Sequence, residues 1–193
     1  MVFNSIFFIF CFLPVFMLIY YLVPGKLRNL LLFLGSLIFY AWGEPVYVIL
    51  MLFSSIFNYY MGTELERLYY DDRKQKINLI FSIIINLAVL VFFKYYGFFT
   101  ENLNQIIGIH IPHPELSLPI GLSFYTFRNL SYLFDIYLSK VSAQRNFLTF
   151  AVYSTMFPYT SAGPIVRYTD IETQLKQRTI NISKFGTGAE IFV

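Results

Sequence analysis

Long uncharged apolar runs are the feature that most constrains the fold of this chain. Residues 1–25 contain no charged side chain, and uncharged runs recur at 29–43, 45–63 and 77–93. A helix that crosses the hydrocarbon core of a bilayer needs about 20 mostly apolar residues. Strand edges cannot satisfy their backbone groups in lipid, so the runs indicate helices. We predict four membrane spans, near residues 3–23, 27–43, 45–63 and 77–93.

The composition excludes an ordinary soluble domain. Hydrophobic residues make up 57% of the chain and charged residues 13%, whereas soluble domains carry about 25% charged residues. The basic residues lie between the apolar runs, and the net charge is only +3, so nucleic acid is not an expected partner. The single cysteine, Cys11, cannot form an intramolecular disulfide, and no pattern of zinc ligands is present.

The distribution of lysine and arginine predicts the orientation of the chain. Lys26 and Arg28 follow the first span, and four basic residues lie within 64–76, a charged stretch that we interpret as a solvated loop. The turn after the second span has no basic residue, and only Lys94 follows the fourth. Because basic loops stay in the cytoplasm, the N-terminus is predicted to lie outside.

The second half of the chain is less regular. Residues 98–118 are polar and read as a loop or a surface helix, and residues 119–138 are apolar but contain Arg128 and Asp135, which indicates an amphipathic or partly buried segment. Residues 146–166 are uncharged, but prolines interrupt them and basic residues flank both ends. We interpret this segment as a broken or re-entrant helix. The predicted fold is all-α: residues 1–193 form part of a single polytopic transmembrane helical bundle with re-entrant or broken helices.

Two stretches carry a resemblance to a known family. The first is LPIGLSFYTF at 118–127, which continues as SYLFDIY at 131–137, and the second is Phe157-Pro158 followed by AGPIVRY at 162–168. In their order and spacing they resemble the membrane-bound O-acyltransferase family, and more closely the membrane subunit of alginate-type polysaccharide O-acetyltransferases. A departure is Arg128, where the resemblance leads us to expect Gln.

The resemblance implies a helical bundle around a central funnel, through which an acyl group reaches an extracytoplasmic hydroxyl. It implies a thioester donor such as acetyl-CoA or an acyl carrier protein, and a partner protein outside the membrane that completes transfer to the sugar. The family's catalytic histidine lies farther along than this chain reaches, and His110 and His113 do not match its context. We therefore assign no catalytic, cofactor-binding or metal-binding residue.

Six residues are candidates for lining the funnel or for holding its structure. Arg128 and Asp135 are costly in a bilayer and each needs a partner, but their spacing of seven is too long for a direct pair on one helix. Three alternatives remain for these side chains: snorkelling to the membrane interface, an ion pair with another helix and, for Arg128, contact with an anionic group of the donor. The remaining candidates surround the predicted break, where a proline leaves a carbonyl without its helical donor: Pro158, Gly163, Pro164 and Arg167.

The function predicted from these features is transfer of acetyl groups to an extracytoplasmic polysaccharide such as alginate, in a bacterial cytoplasmic (inner) membrane. D-alanyl transfer or peptidoglycan acylation by the same fold is one alternative, and a non-catalytic scaffold or a transporter fragment is another. A transporter would show paired broken segments in two halves, whereas a single broken region is found here. The chain ends within an apparent helix, so we expect an incomplete domain, inactive alone.

Overall fold

The computed structural model describes residues 6–107, 118–160 and 166–178, together with residues 186, 187 and 190. This part of the chain is helical and contains no strand. The first helix begins with a π-helical turn at Phe8–Phe12, and two short 3₁₀ segments lie at Gly25–Leu27 and Phe157–Tyr159. The α-helices are α1 Leu13–Leu22, α2 Arg28–Gly43, α3 Val48–Arg67, α4 Asp72–Ile107, α5 Leu122–Tyr137, α6 Phe147–Thr155 and α7 Tyr168–Lys176.

The first four helices coincide with the four apolar runs, and two of them, Val48–Arg67 and Asp72–Asn104, are long and apolar enough to cross a membrane. Many large hydrophobic side chains on the outside of the bundle are exposed, Ile49 at 73% and Trp42 at 65% among them. Such a surface suits lipid rather than water. The structure therefore indicates a membrane protein; the number of spans and their orientation remain predictions.

The charged stretch at 64–76 is mostly helical, so its interpretation as a loop was wrong. Helix α3 continues to Arg67 and α4 begins at Asp72, which leaves a short connection. Long charged side chains favour helices, and ion pairs add a little stability at both ends: Arg67 with Glu64 at 3.2 Å, and Lys74 with Asp71 at 2.8 Å. The Lys74 ammonium and backbone N–H lower the pKa of the exposed Asp71 carboxyl.

Helix α4 is also much longer than the predicted span of 77–93. It has 36 residues and continues through 98–107, for which the sequence allowed either a loop or a surface helix. Lys94 interrupts the apolar run but not the helix, because lysine is a good helix former and its stem can lie along apolar surface. The helical alternative for 98–107 is the one found.

Helices α5 and α6 form the centre of the bundle. Helix α5 packs against α3 and α4, and α6 packs against α2 and α3. Every residue of α6 from Thr149 to Thr155 is buried, whereas α5 buries one face and exposes Phe127 and Phe134 on the other. The amphipathic character predicted for 119–138 is thus present in α5. The loop before α6 is anchored by Asn146, whose side-chain oxygen accepts a bond from the Thr149 N–H at the helix start.

Close approach and buried amides connect α3 to its neighbours. A Cβ atom at Gly62 would lie 2.7 Å from the ring of Tyr132 on α5, so glycine lets the two helices touch. Asn58 of α3 and Asn86 of α4 exchange two amide hydrogen bonds of 3.0 and 2.9 Å. Lipid offers an amide no hydrogen-bond partner, so in an apolar bundle such bonds join the helices.

Candidate functional site

The predicted break lies directly after α6. The helix ends at Thr155, Met156 adopts an extended conformation (φ −53°, ψ 120°), and Pro158 stands in the 3₁₀ turn that follows. Proline has no N–H, so the carbonyl of Ser154 loses the donor that a continuing helix would supply. The N–H of Phe157 donates to Ser36 Oγ at 3.1 Å instead of to the carbonyl of Tyr153. Two buried carbonyls at the end of α6 therefore need other donors.

Arg128 of α5 supplies these donors. Its Nη1 atom donates to the carbonyls of Tyr153 at 3.1 Å and Ser154 at 3.2 Å, and its Nη2 atom donates to the carbonyl of Tyr159. The guanidinium lies near the rings of Tyr153 and Tyr159, with its central carbon 6.0 and 5.5 Å from the two ring centres. In return, the Tyr153 hydroxyl donates to the carbonyl of Arg128 at 3.1 Å. We call residues 153–160 with Arg128 the α6 corner.

Thr160 completes the hydrogen bonding of the α6 corner. Its hydroxyl lies 3.1 Å from the carbonyl of Thr155 and 2.9 Å from that of Met156. The backbone of Thr160 also touches the start of α5, where Gly121 has φ +75° and a Cβ atom would lie 2.2 Å from the Thr160 carbonyl oxygen. Only glycine fits this left-handed, crowded position. The break in α6 is therefore held from α5 both by a side chain and by direct backbone contact.

The position of Arg128 removes two of the alternatives that the sequence left open. The residue is 1% exposed, so interfacial snorkelling is wrong. Among the described residues, no carboxylate forms an ion pair with Arg128; its partners are backbone carbonyls at the C-terminal end of α6, where the helix dipole places partial negative charge. The ion-pair alternative is thus not found, and contact with an anionic donor group remains untested.

Asp135 lies two turns farther along α5 and has a different partner. It is 4% exposed, and its Oδ1 atom is 3.9 Å from Nζ of Lys140. Lys140 also donates its backbone N–H to the Asp135 carbonyl at 2.8 Å, just beyond the end of the helix. Within the described residues, Asp135 and Arg128 do not pair with each other, as their spacing predicted. The Oδ2 atom of Asp135 has no hydrogen-bond partner in this part of the chain.

Arg167 is the remaining candidate that the structure describes. Arg167 is exposed and precedes α7, where its N–H donates to Asp170 at 3.3 Å. Gly163 and Pro164 lie outside the described residues, as do His110 and His113. Over the described residues, no group of three or more His, Cys, Asp or Glu side chains could hold a metal ion. Among the described candidates, Arg128 and Pro158 thus belong to the α6 corner, whereas Arg167 follows Val166, whose carbonyl accepts a bond from the Tyr153 hydroxyl at 3.4 Å.

Sequence reasoning missed the contacts of several buried polar residues. Asn58 and Asn86 lie in the middle of apolar runs, a position that signals hydrogen bonds between helices. Tyr40 and Tyr125 also bury their hydroxyl groups, and neither hydroxyl has a hydrogen-bond partner among the described residues. Tyr125 stands inside the motif at 118–127, but nothing in the sequence indicates that it lies beside Tyr40, 85 positions earlier.

The architecture thus defines a class: a helical membrane protein in which one central helix, α6, ends at a break that a buried arginine holds. Comparison with known proteins adds relatives at 31–38% identity. The chain is 38% identical over its whole length to "Probable alginate O-acetylase AlgI" of Pseudomonas aeruginosa and covers 38% of that protein. It is 37% identical to the protein of the same name in Azotobacter vinelandii, of which it covers 40%.

A relative with a different name is also similar over the whole chain. "Peptidoglycan O-acetyltransferase" of Helicobacter pylori is 31% identical, and the chain covers 42% of it. The chain thus spans about two fifths of the length of the curated relatives it matches. No protein-family profile matches the chain, and no solved structure matches it. These relatives confirm the resemblance to the membrane subunit of alginate-type polysaccharide O-acetyltransferases.

Proposed function

We propose that this chain is part of a membrane O-acyltransferase that transfers acetyl groups to a polysaccharide on the extracytoplasmic side of a bacterial cytoplasmic membrane. The observation that carries the proposal is identity of 31–38% along the whole chain to proteins named as O-acetylases of alginate and of peptidoglycan. Two helices long and apolar enough to cross a bilayer agree with a membrane setting.

In this proposal the described helices build the wall of the transfer path. The α6 corner stops a buried helix inside the bundle, and backbone that leaves the helical path at membrane depth must be satisfied by protein or by water. Arg128 satisfies it with three bonds from α5. Arg128 is therefore a positioning residue, and the reacting groups lie outside the part of the family pattern that this chain matches.

The donor, the partner and the orientation belong to the same proposal. The donor is a thioester such as acetyl-CoA or an acyl carrier protein, and an extracytoplasmic partner protein passes the acetyl group to the polysaccharide. The connection between α3 and α4 faces the cytoplasm, the turn between α2 and α3 faces outward, and segment 146–166 enters the membrane without crossing it. Because the resemblance places the catalytic histidine elsewhere, the chain alone transfers no acetyl group.

The acceptor is alginate or a similar exopolysaccharide, and peptidoglycan is the second candidate because of the Helicobacter pylori relative. Disruption of the gene that encodes the chain tests both. We expect fewer acetyl esters on the exopolysaccharide, unchanged esters on peptidoglycan, and restoration by the intact gene. Loss on peptidoglycan alone would favour the second candidate, and no loss on either polymer would contradict the proposed function.

Labelling of single cysteines tests the orientation. In a Cys11→Ser background, Val46→Cys places a thiol in the α2–α3 turn and Tyr70→Cys places one in the α3–α4 connection, at sites that are 74% and 97% exposed. A thiol reagent that cannot cross the membrane should label the first variant in intact cells and the second only in opened cells. The reverse pattern would contradict the orientation without affecting the proposed activity.

A further inference from the structure

Two buried tyrosine hydroxyls at one end of the bundle have no partner among the described residues. Tyr40 is 5% exposed and Tyr125 is 0% exposed, and both belong to a cluster with Met51, Leu90 and Leu122. A buried polar group without a hydrogen bond is costly, and native structures retain few of them. Two such groups in one apolar cluster call for an explanation beyond packing.

The other buried tyrosines show that the absence of partners is specific to this pair. The Tyr132 hydroxyl accepts the Gln144 N–H at 2.8 Å, and the Tyr168 hydroxyl accepts a bond from the Gln144 side chain at 2.6 Å. The Tyr153 hydroxyl donates to the Arg128 carbonyl at 3.1 Å. The fold therefore satisfies buried phenols elsewhere in the described chain, but leaves both members of this pair as free donors.

A hydrogen bond brings the two tyrosines to the same end of the bundle. Glu44 follows α2 one turn after Tyr40, and its Oε2 atom accepts the N–H of Ile120 at 2.8 Å. Ile120 immediately precedes the N-cap of α5, one turn before Tyr125. Tyr40 and Tyr125 accordingly lie at the same end of the bundle and in one cluster of buried residues. The site thus consists of two phenol donors, an adjacent carboxylate and an apolar wall.

The chemistry of this site selects its ligand. The ligand must offer a hydrogen-bond acceptor to the phenols, and it must be otherwise apolar to lie against Met51, Leu90 and Leu122. The carboxylate of Glu44 disfavours an anion such as a phosphate. A small cleft between α3, α4 and α5, lined by Tyr125, Leu122, Phe53, Phe57 and Val89 among others, adjoins Tyr125.

We propose that Tyr40 and Tyr125 form a binding subsite for the carbonyl oxygen of a short neutral acyl group, with the methyl end of that group against the apolar wall. The choice of an acyl group rests on the proposed function. The two residues bind the acyl group as it passes; they are not assigned a chemical step.

Thermal unfolding of the purified chain in mild detergent tests the site. The probe is S-ethyl thioacetate, a small thioester with a single carbonyl, and its control is diethyl sulfide, a thioether in which a CH2 group replaces that carbonyl. The thioester should raise the Tm of the wild type and of Tyr132→Phe, and the thioether should raise neither. The double variant Tyr40→Phe/Tyr125→Phe should show no carbonyl-dependent shift. An equal shift in the double variant, or no shift in the wild type, would overturn the subsite.

The same variants without probe give a second readout. Tyr132→Phe leaves the Gln144 N–H unpaired and should lower the Tm by roughly 2–4 °C. Tyr40→Phe and Tyr125→Phe remove donors that have no partner, so their Tm should stay unchanged or rise. A fall as large as that of Tyr132→Phe would show that the two hydroxyls are structural and would overturn the subsite. Acetylation that depends on the gene, without a carbonyl-dependent Tm shift, would contradict the subsite alone; a shift without such acetylation would contradict only the proposed function.

Discussion

Replacement of Arg128 by methionine should destabilise the chain strongly. Methionine keeps an unbranched stem but has no donor, so the variant leaves the carbonyls of Tyr153, Ser154 and Tyr159 without the bonds that Arg128 makes. Each buried carbonyl that loses its donor costs about 1–3 kcal/mol. Removal of a buried charge offsets part of the sum, and we expect a net loss of about 3–5 kcal/mol.

Replacement of Arg128 by lysine distinguishes the contribution of the positive charge from that of the guanidinium geometry. A lysine ammonium is a compact point charge on a flexible stem, whereas the planar guanidinium reaches carbonyls on both sides of the break at once. Arg128→Lys should therefore retain the charge but recover only a part of the lost stability. The matched control is Arg67→Met. Among the described residues Arg67 pairs only with Glu64, and its side chain is 77% exposed, so its loss should cost less than about 0.5 kcal/mol.

The assay is reversible unfolding of the purified chain in mild detergent by added denaturing detergent, followed by circular dichroism. The free energies of unfolding of the wild type and the three variants are compared at one detergent composition. If the free energy of unfolding of Arg128→Met lies within about 0.5 kcal/mol of that of the wild type, the three bonds do not hold the α6 corner. The conclusion that Arg128 satisfies the carbonyls left without donors at the Pro158 break is then refuted.

Two further predictions concern contacts of α3. Gly62→Ala should lower the free energy of unfolding by about 1–3 kcal/mol because the new methyl group meets the buried ring of Tyr132. Its control, Gly97→Ala, should be neutral or stabilising because no atom lies within 4 Å of the added Cβ. Equal effects of the two substitutions in thermal unfolding would contradict the close packing. A double-mutant cycle of Asn58→Ala and Asn86→Ala should give a coupling free energy of about 0.6–1.7 kcal/mol, and additive losses would show that the two amides do not bond to each other.

The sequence was sufficient for the features that depend on local pattern. Uncharged runs located the first four helices, and Pro158 indicated a break because a missing N–H is a property of the residue itself. The end of the fourth helix was misjudged because Lys94 was treated as a boundary, although one lysine does not end a helix. The charged stretch at 64–76 was misjudged for the same reason: polarity shows exposure to water, not loss of helix.

The contacts of the candidate site required the fold. Arg128 reaches carbonyls 25–31 residues farther along the chain, and backbone carbonyls have no sequence signature. The sequence therefore identified Arg128 as a costly residue in need of a partner but could not say which partner it has. The association of Tyr40 with Tyr125 was missed, because it depends on the absence of partners for their hydroxyls and on the bond from the Ile120 N–H to Glu44, which only the fold shows.

The length of α4 has a consequence for how the protein sits in its membrane. With 36 residues the helix is about 54 Å long, and even a tilt of about 40° leaves about 41 Å along the membrane normal, more than the hydrocarbon thickness of about 30 Å. Where α4 crosses the membrane, as the sequence predicts, one end of the helix therefore lies outside the acyl chains, among the headgroups or beyond them. A thinner bilayer would lengthen the part of α4 that protrudes. A thicker bilayer would bring Lys94 and the aromatic residues around it closer to the hydrocarbon core.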